Sequence, residues 1–373
     1  MIIKHINLSH FRNYQNLSLD FSPQMNVFLG ENAQGKTNIL EAIYVLAMTK
    51  SHRTNKDREM IQWDEDIARI SGRIHNLNSQ FSLEVVLSKK GKIAKLNHLE
   101  QARLSTYISH LNVIIFAPED LDIVKGSPSV RRRFIDMELG QMSPLYLHHL
   151  TEYNRVLKQR NQYLKDMRFK KIDELYFDIL SEQVAIEGAH VLKERLWFIE
   201  NLENWSKIIH KNISNQKEDL AIFYSSSLDI KSLDDCEDYE TIFHLFKKQL
   251  DNNRDREIDQ GTTLIGPHRD DMYFHINGRN VQTYGSQGQQ RTAALSIRLA
   301  EIDLMKELRG EYPVLLLDDV LSELDNERQT HLLSSIQNKV QTFLTTTSLD
   351  GIQKDLIDNP KIFNISKGQI ETE

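Results

Sequence analysis

Residues Gly30-Glu31-Asn32-Ala33-Gln34-Gly35-Lys36-Thr37 satisfy the pattern G-x-x-x-x-G-K-[ST] at every fixed position. A loop of this kind wraps its backbone N–H groups around a β-phosphate, and its glycines permit the close approach and the unusual φ values this needs. The helix that follows aims its positive end at the anion. Lys36 would bridge the β- and γ-phosphates, and Thr37 would hold Mg²⁺. The chemistry implied is the binding of a nucleoside triphosphate; the competing reading is a fortuitous glycine turn.

Two further segments carry matching chemistry. Val314-Leu315-Leu316-Leu317-Asp318-Asp319 reads as a buried strand ending in two carboxylates. In phosphate-loop NTPases the first such acid holds Mg²⁺, here Asp318, and the second, Asp319, would polarise the attacking water. Lys36, Asp318 and Asp319 are therefore the catalytic candidates. Tyr284-Gly285-Ser286-Gln287-Gly288-Gln289-Gln290-Arg291 opens a helix with Ser286 and Gly288 two residues apart. Such an N-terminus is a second phosphate-binding device, and Ser286, Gln287 and Gly288 are its candidate contacts; a plain helix N-cap is the alternative. The nucleophile pattern G-x-S-x-G is not met. Ser322-Glu323-Leu324-Asp325 follows the acidic strand directly and favours the nucleotide reading.

The elements that must position these groups are legible in the apolar spacing. Ile2 to Leu8 and Leu17 to Phe21 flank a polar knot at Arg12-Asn13-Tyr14 and read as strands. Met25 to Leu29, the glycine loop and the helical spacing of Asn38 to Met48 give strand, loop, helix. Residues 67–98 alternate at period two and predict an antiparallel sheet turning near Lys90-Gly91. A strand over Leu111 to Phe116 is stopped by Pro118. From about 120 to 255 the pattern is helical, with only Leu220 to Tyr224 strand-like. Met272 to Thr283 predicts a hairpin turning at Asn277-Gly278 as type I′. A helix over Ser286 to Leu308, ended by Gly310, precedes the acidic strand; a helix near 325–338 and a strand at Thr342 to Thr346 follow it. The fold class expected is α/β: an ATPase domain from both chain ends, 1–120 plus 256–373, with a mainly helical insertion at 121–255.

Composition bounds the alternatives. At about 150 residues per domain, 373 residues leave room for two or three domains. With 40% hydrophobic and 27% charged residues, a core is available and global disorder is not expected. The longest apolar runs fall far short of the roughly 18 residues of a membrane span, and the amino terminus lacks a signal core. One cysteine, Cys236, excludes an intrachain disulfide and structural zinc through paired cysteines. An intracellular protein with no membrane partner is expected.

Net charge is −7, which by itself gives no support to nucleic-acid binding. Its distribution is uneven. Residues 125–171 hold eleven Lys/Arg against four acids, whereas residues 228–259 hold ten acids against five bases. Such asymmetry can mark a polyanion-binding face, and solvated helix faces are the plain alternative. His148 and His149 are adjacent and point to different sides of a helix, a poor metal pair.

The order phosphate loop, S-x-G at a helix start, four apolar residues with two Asp, then S-x-L-D resembles the ABC-type ATPase heads, including the SMC-like DNA repair ATPases. From Lys36 to Ser286 is 250 residues, more than a transporter subunit and far fewer than a long coiled-coil SMC protein would have. Phe11-Arg12-Asn13-Tyr14, Phe116-Ala117-Pro118-Glu119-Asp120-Leu121, Lys125-Gly126-Ser127-Pro128 with Arg131-Arg132-Arg133-Phe134-Ile135-Asp136, and Gly266-Pro267-His268-Arg269-Asp270-Asp271 look like the bacterial RecF family across the whole chain. That resemblance implies a DNA-dependent ATPase of the cytoplasm that dimerises on ATP and Mg²⁺, with the signature helix of one copy capping the γ-phosphate held by the other. It implies action at single-strand gaps with RecR and RecO, in replication-linked repair and SOS induction. Arg12 and Asn13 would contact phosphate or adenine, or simply form a turn. Arg131, Arg132, Arg133, Lys158 and Arg160 are the candidate DNA contacts. Asp319 stands where transporters have Glu, which implies slow hydrolysis. Thr345-Thr346-Thr347 stands where they have a switch histidine, transferred to Thr347. Glu119 stands at the Q-loop position, with an acidic N-cap as the alternative. A transporter's ATP-binding subunit is the rival function; the long insertion argues against it.

Overall fold

Alternation at period two builds the first sheet. The computed structural model describes residues 1–167, 173–230, 238–348, 359–366 and 368–372; Cys236, Arg168, Lys170 and Lys171 lie outside them. Ile2–Phe11 (β1) buries Ile3, Ile6 and Leu8, turns at Arg12-Asn13, and pairs antiparallel with Tyr14–Asp20 (β2). Met25–Leu29 (β3) leads through the glycine loop into Lys36–Met48 (α1), which is buried along nearly its whole length. Ile67–His75 (β4), Gln80–Ser88 (β5), Gly91–Leu96 (β6) and Leu99–Glu100 (β7) complete a six-stranded sheet in the order β2-β1-β4-β5-β6-β7. Ser105–Ile108 (α2) precedes Val113–Phe116 (β8), which starts two residues after the expected Leu111.

The middle of the chain is helical as expected: Leu121–Lys125 (α3), Pro128–Met142 (α4), Pro144–Met167 (α5) and Glu174–Ile213 (α6), then Leu220–Ser225 (β9) and Tyr239–Gln260 (α7). Asp271–Ile276 (β10) and Arg279–Asn280 (β11) join β9 in a three-stranded sheet. Their turn has φ 50° at Asn277 and 77° at Gly278, both positive as type I′ demands. The hairpin is shorter than expected. The Asn280 side chain accepts a hydrogen bond from the Thr283 amide and so caps Val281–Tyr284 (α8) in place of a longer strand.

Gln287–Arg309 (α9) ends at Gly310, and Val314–Asp318 (β12), Asn326–Ile336 (α10), Thr342–Thr346 (β13), Lys361–Ser366 (β14) and Gln369–Thr372 (β15) follow. They form a second six-stranded sheet, β15-β14-β3-β13-β12-β8, parallel except for β15. Continuous apolar runs suit strands covered on both faces. Phe21, Phe28, Phe343 and Phe363 interlock beside it, with Phe21 edge-on to Phe343 at 4.7 Å.

Two compact units result: Met1–Asp120, Ile209–Lys217 and Ala294–Glu373 form one, and Leu121–Ile208 and Glu218–Ala293 the other. The expected division put residues 256–293 in the ATPase domain. They cluster instead with the helices, because β10 pairs along β9 from Asp271↔Ser225 to Ile276↔Leu220, and buried ion pairs Arg160–Glu257 and Arg131–Asp271 tie the segment to α5 and α4.

In the first unit the Gln341 side chain links the two sheets. Buried Gln341 accepts from the Ile3 amide at 2.7 Å and donates to the carbonyls of Ile3 (2.8 Å) and Ser22 (2.7 Å). Gln341→Leu would strand three backbone groups, so unfolding in urea should show a loss of about 2–3 kcal/mol with an unchanged slope.

Candidate functional site

β3 delivers Gly30 to the carboxyl edge of the parallel sheet, where open α/β sheets bind ligands. Both fixed glycines of the loop are sterically required. A Cβ on Gly30 would collide with the Ile365 carbonyl, and one on Gly35 (φ 113°) would lie 2.6 Å from Asn13 Nδ2 and 2.7 Å from the Tyr14 hydroxyl. The β1–β2 turn thus buttresses the loop. The Tyr14 hydroxyl donates to Gly35 O (3.1 Å), Asn13 Nδ2 donates to Gln34 O (3.4 Å), and Asn13 Oδ1 accepts from Asn38 Nδ2 (2.8 Å).

Arg12, expected to meet phosphate or adenine, grips α1. Its Nε and Nη2 donate to the two carboxylate oxygens of Glu41 at 2.8 and 2.6 Å, and Nη1 donates to Glu59 O. Glu41 is fully buried, and it also accepts from Ser51 Oγ and from Arg53 Nη1. Burial opposes its ionisation, yet hydrogen bonds from Arg12 and Ser51 and the two arginine charges outweigh that and hold its carboxyl below the usual range.

Lys36 is buried to 7% exposure, and its ammonium donates to the carbonyls of Gly30 and Glu31, the rim of its own loop. Burial lowers its pKa, opposed by the charges of Asp319 and Asp318. Asp318 Oδ1 accepts from Thr37 Oγ1 (2.8 Å) and from Thr345 Oγ1 (2.9 Å). Burial raises the Asp318 pKa, so its charged form stands to gain from a nearby cation. A hydroxyl and a carboxylate in direct contact supply the oxygen donors Mg²⁺ prefers, and the pair fits that ion. Asp319 adopts φ 52°, its amide donating to Thr345 Oγ1 and its carbonyl accepting from Ser322 Oγ. Glu119 is exposed in the turn after β8, near enough for its charge to act on Asp318. Thr347 is exposed, and Thr345 is the threonine that reaches the acid.

Exposed Ser286 closes a reciprocal cap with Gln289: its Oγ accepts from the Gln289 amide and its own amide donates to Gln289 Oε1. Gln287 beside it is exposed and Gly288 half-buried. Asp325 caps α10, its carboxylate accepting from the Arg328 amide.

Two of the five candidate DNA contacts are interior residues. Arg131 is 3% exposed and makes a two-pronged pair with Asp271 at 2.7 and 2.9 Å. Arg160 is fully buried against Glu257, Ser181 and Thr263. A basic run counts charges without saying which ones are neutralised inside. Arg133 and Lys158 are exposed and Arg132 is half-buried. His149 bonds Glu187 and stacks on His190, and among the described residues no group of three or more His, Cys, Asp or Glu could hold a metal. Among them, too, no helix is long and apolar enough to cross a membrane.

Pattern singles out neither Glu41 nor Arg53, and it takes in Tyr14 and Thr345 only within longer motifs. Glu41 had a signal: an acid inside the apolar stretch Asn38-Ile39-Leu40-Glu41-Ala42-Ile43 must find a cation. Because its pKa is depressed, its contribution to stability is complete above about pH 4.3, the unperturbed value, and is lost as pH falls through the lowered one. Thermal melts should therefore show wild-type stability falling more steeply than that of Glu41→Gln on acidification below about pH 4.

The family model described as RecF/RecN/SMC N terminal domain matches residues 2–369. The chain is 58% identical over 372 residues to the DNA replication and repair protein RecF of Enterococcus faecalis, covering 100% of this chain and 99% of that one. It is 54% identical to that of Listeria monocytogenes serotype 4b, covering both chains completely. A solved structure described as the recombination mediator protein RecF-ATP in the RecFOR pathway superposes with TM-score 0.92 at 33% identity, over 100% of this chain and 97% of that one. An Smc head, at TM-score 0.58 and 14% identity over 100% and 97% of the two chains, shares the fold. By sequence and by fold, over its full length, the chain belongs to the RecF family of the RecF/RecN/SMC ATPase heads.

Proposed function

We propose that this chain binds ATP in the Gly30–Thr37 loop and acts as an ATP-gated DNA-binding recombination mediator. The observation that carries this is the hydrogen bond from Thr37 to Asp318, which joins the glycine loop to the acidic strand at the mouth of the parallel sheet. Solved RecF relatives described as RecF-ATP and RecF-ATPrS support the ligand. Backbone amides of residues 30–35 would cradle the β-phosphate, and the Lys36 ammonium would exchange its two loop carbonyls for phosphate oxygens. Thr37 and Asp318 would hold Mg²⁺, which supplies positive charge to the phosphate oxygens as negative charge develops. Asp319 would orient water, and being one methylene shorter than Glu, it would do so slowly.

In this reading Asn13 buttresses the loop and Arg12 positions α1. Ser286, Gln287 and Gly288 of a second copy cap the γ-phosphate, so ATP closes a homodimer and hydrolysis opens it. The helical unit is the arm that meets DNA and partners. Residues 121–255 hold most of that arm, with Arg132, Arg133 and Lys158 as its accessible positive charges. The setting is the cytoplasm, at single-strand gaps and gap junctions, with RecR and RecO, in replication-linked repair and SOS induction.

Sedimentation and ATP titration test the cycle together. Lys36→Ala should abolish ATP binding, whereas Ser286→Arg should leave it within about twofold and prevent the ATP-induced dimer. A Ser286→Arg chain that still dimerises on ATP would sink the capping role. DNA should raise wild-type ATP turnover, and turnover indifferent to DNA would contradict the mediator reading.

A further inference from the structure

The 266–271 segment, Gly266-Pro267-His268-Arg269-Asp270-Asp271, is held by the interior of the helical unit more firmly than a surface turn requires. Both of its acids point inward. Asp270 Oδ2 accepts from the Tyr224 hydroxyl (2.8 Å), and Oδ1 accepts from the amide and hydroxyl of Ser227, each at 2.7 Å. Asp271 is consumed by the two-pronged pair with buried Arg131. The Pro267 carbonyl accepts from Arg195 at 2.6 Å.

His268 fixes the turn further. Its Nε2 lies 3.2 Å from Thr263 O and must donate there, so Nδ1 accepts from the Tyr153 hydroxyl at 2.7 Å. The ring is a neutral strut: burial pushes its pKa down to about 4, helped by the nearby charges of Arg269, Arg132 and Arg195. Arg132 and Arg269 are both near enough for their charge to act on that ring.

The two arginines differ from Arg131 and Arg195, which are spent on Asp271 and Asp136. Half-buried Arg132 donates Nη1 to Asp270 O at 2.8 Å, and exposed Arg269 donates Nη2 to Thr263 O at 3.2 Å. Neither forms an ion pair with any carboxylate among the described residues. Each guanidinium is thus anchored by a backbone carbonyl, keeps its full charge, and has donors to spare. Arginine anchored in this way loses little further freedom when it takes a phosphate oxygen.

We propose that Arg132, reaching from α4 onto the 266–271 turn, and Arg269 of that turn form a two-pronged site for the backbone phosphates of nucleic acid. The inference rests on the DNA-binding reading above and names the residues that carry it. An open surface holds a single small anion poorly in salt. A polymer of phosphodiesters, by contrast, releases condensed counterions at each contact. The site therefore favours the polyanion, without base preference, because both prongs are phosphate readers.

The test is fluorescence anisotropy of the full-length protein with ATP and a labelled gapped duplex, between 50 and 300 mM KCl. Arg132→Gln with Arg269→Gln should weaken binding about tenfold and reduce the slope of log affinity against log salt by about two, with ATP affinity unchanged. Arg132→Lys with Arg269→Lys should keep most of the slope. Wild-type slope and affinity in the Gln pair would overturn the proposal and leave the DNA reading standing. A Lys pair as weak as the Gln pair would mark a structural role and overturn it too. Wild-type protein that ignores DNA would sink both. Phosphatidylglycerol vesicles are the control for source: binding to them that depends on the two arginines, with DNA binding unaffected, would also count against it.

Discussion

The Asp318 carboxylate is the point on which the ATPase unit converges. It ends a strand whose preceding residues are all apolar and buried, so the sheet fixes its backbone. Thr37 reaches it from the helix behind the glycine loop, and Thr345 reaches it from the strand between β3 and β12. Three segments far apart in sequence thereby share one oxygen atom. The arrangement needs strand order as much as residue type: with β13 between β3 and β12, the two chemically active strands are one strand apart, and Thr345 on the intervening strand reaches the acid. The same threonine accepts the amide of Asp319 and so sets the left-handed turn that aims the second acid.

Both units rely on buried charge. Glu41, Glu257 and Arg160 are completely shielded from solvent, and Arg195 is nearly so. Desolvating such groups costs several kcal/mol each, about as much as a good pair returns, so they add little net stability. Their effect is on geometry. A buried pair, two-pronged in Arg12–Glu41 and Arg131–Asp271, restricts orientation, and losing either member leaves a stranded charge. Arg12–Glu41 fixes the helix after the loop, Arg131–Asp271 fixes α4 against β10, and Arg160–Glu257 fixes α5 against α7. In each case the apolar core supplies the driving force and the pair selects the register.

Much of this was legible in the residues. The glycine loop, the acidic strand, the type I′ turn at Asn277-Gly278 and the helical middle all follow from local spacing, and local spacing is what backbone sterics and burial impose. Long-range commitments were not legible. Arg131 and Arg160 read as surface charge because their partners, Asp271 and Glu257, are 140 and 97 positions away. The resemblance pointed Arg12 at the nucleotide, and its pairing with Glu41, 29 positions away, left no local trace. The division of units misplaced residues 256–293 because strand pairing between β9 and β10 leaves no local trace. The switch position was carried to Thr347 by the resemblance, whereas strand register, which pairs Thr345 with Asp318 and ends β13 at Thr346, decides which threonine meets the acid.

The account's central claim is that Thr37 and Asp318 form the metal-binding edge of a triphosphate site. Calorimetric titration of ATP with and without Mg²⁺, into wild-type protein and Asp318→Ala, tests it most directly. The account predicts that Mg²⁺ tightens binding to the wild type by at least about tenfold and leaves the variant's metal-free affinity unimproved. An equal gain from Mg²⁺ in both proteins would contradict it.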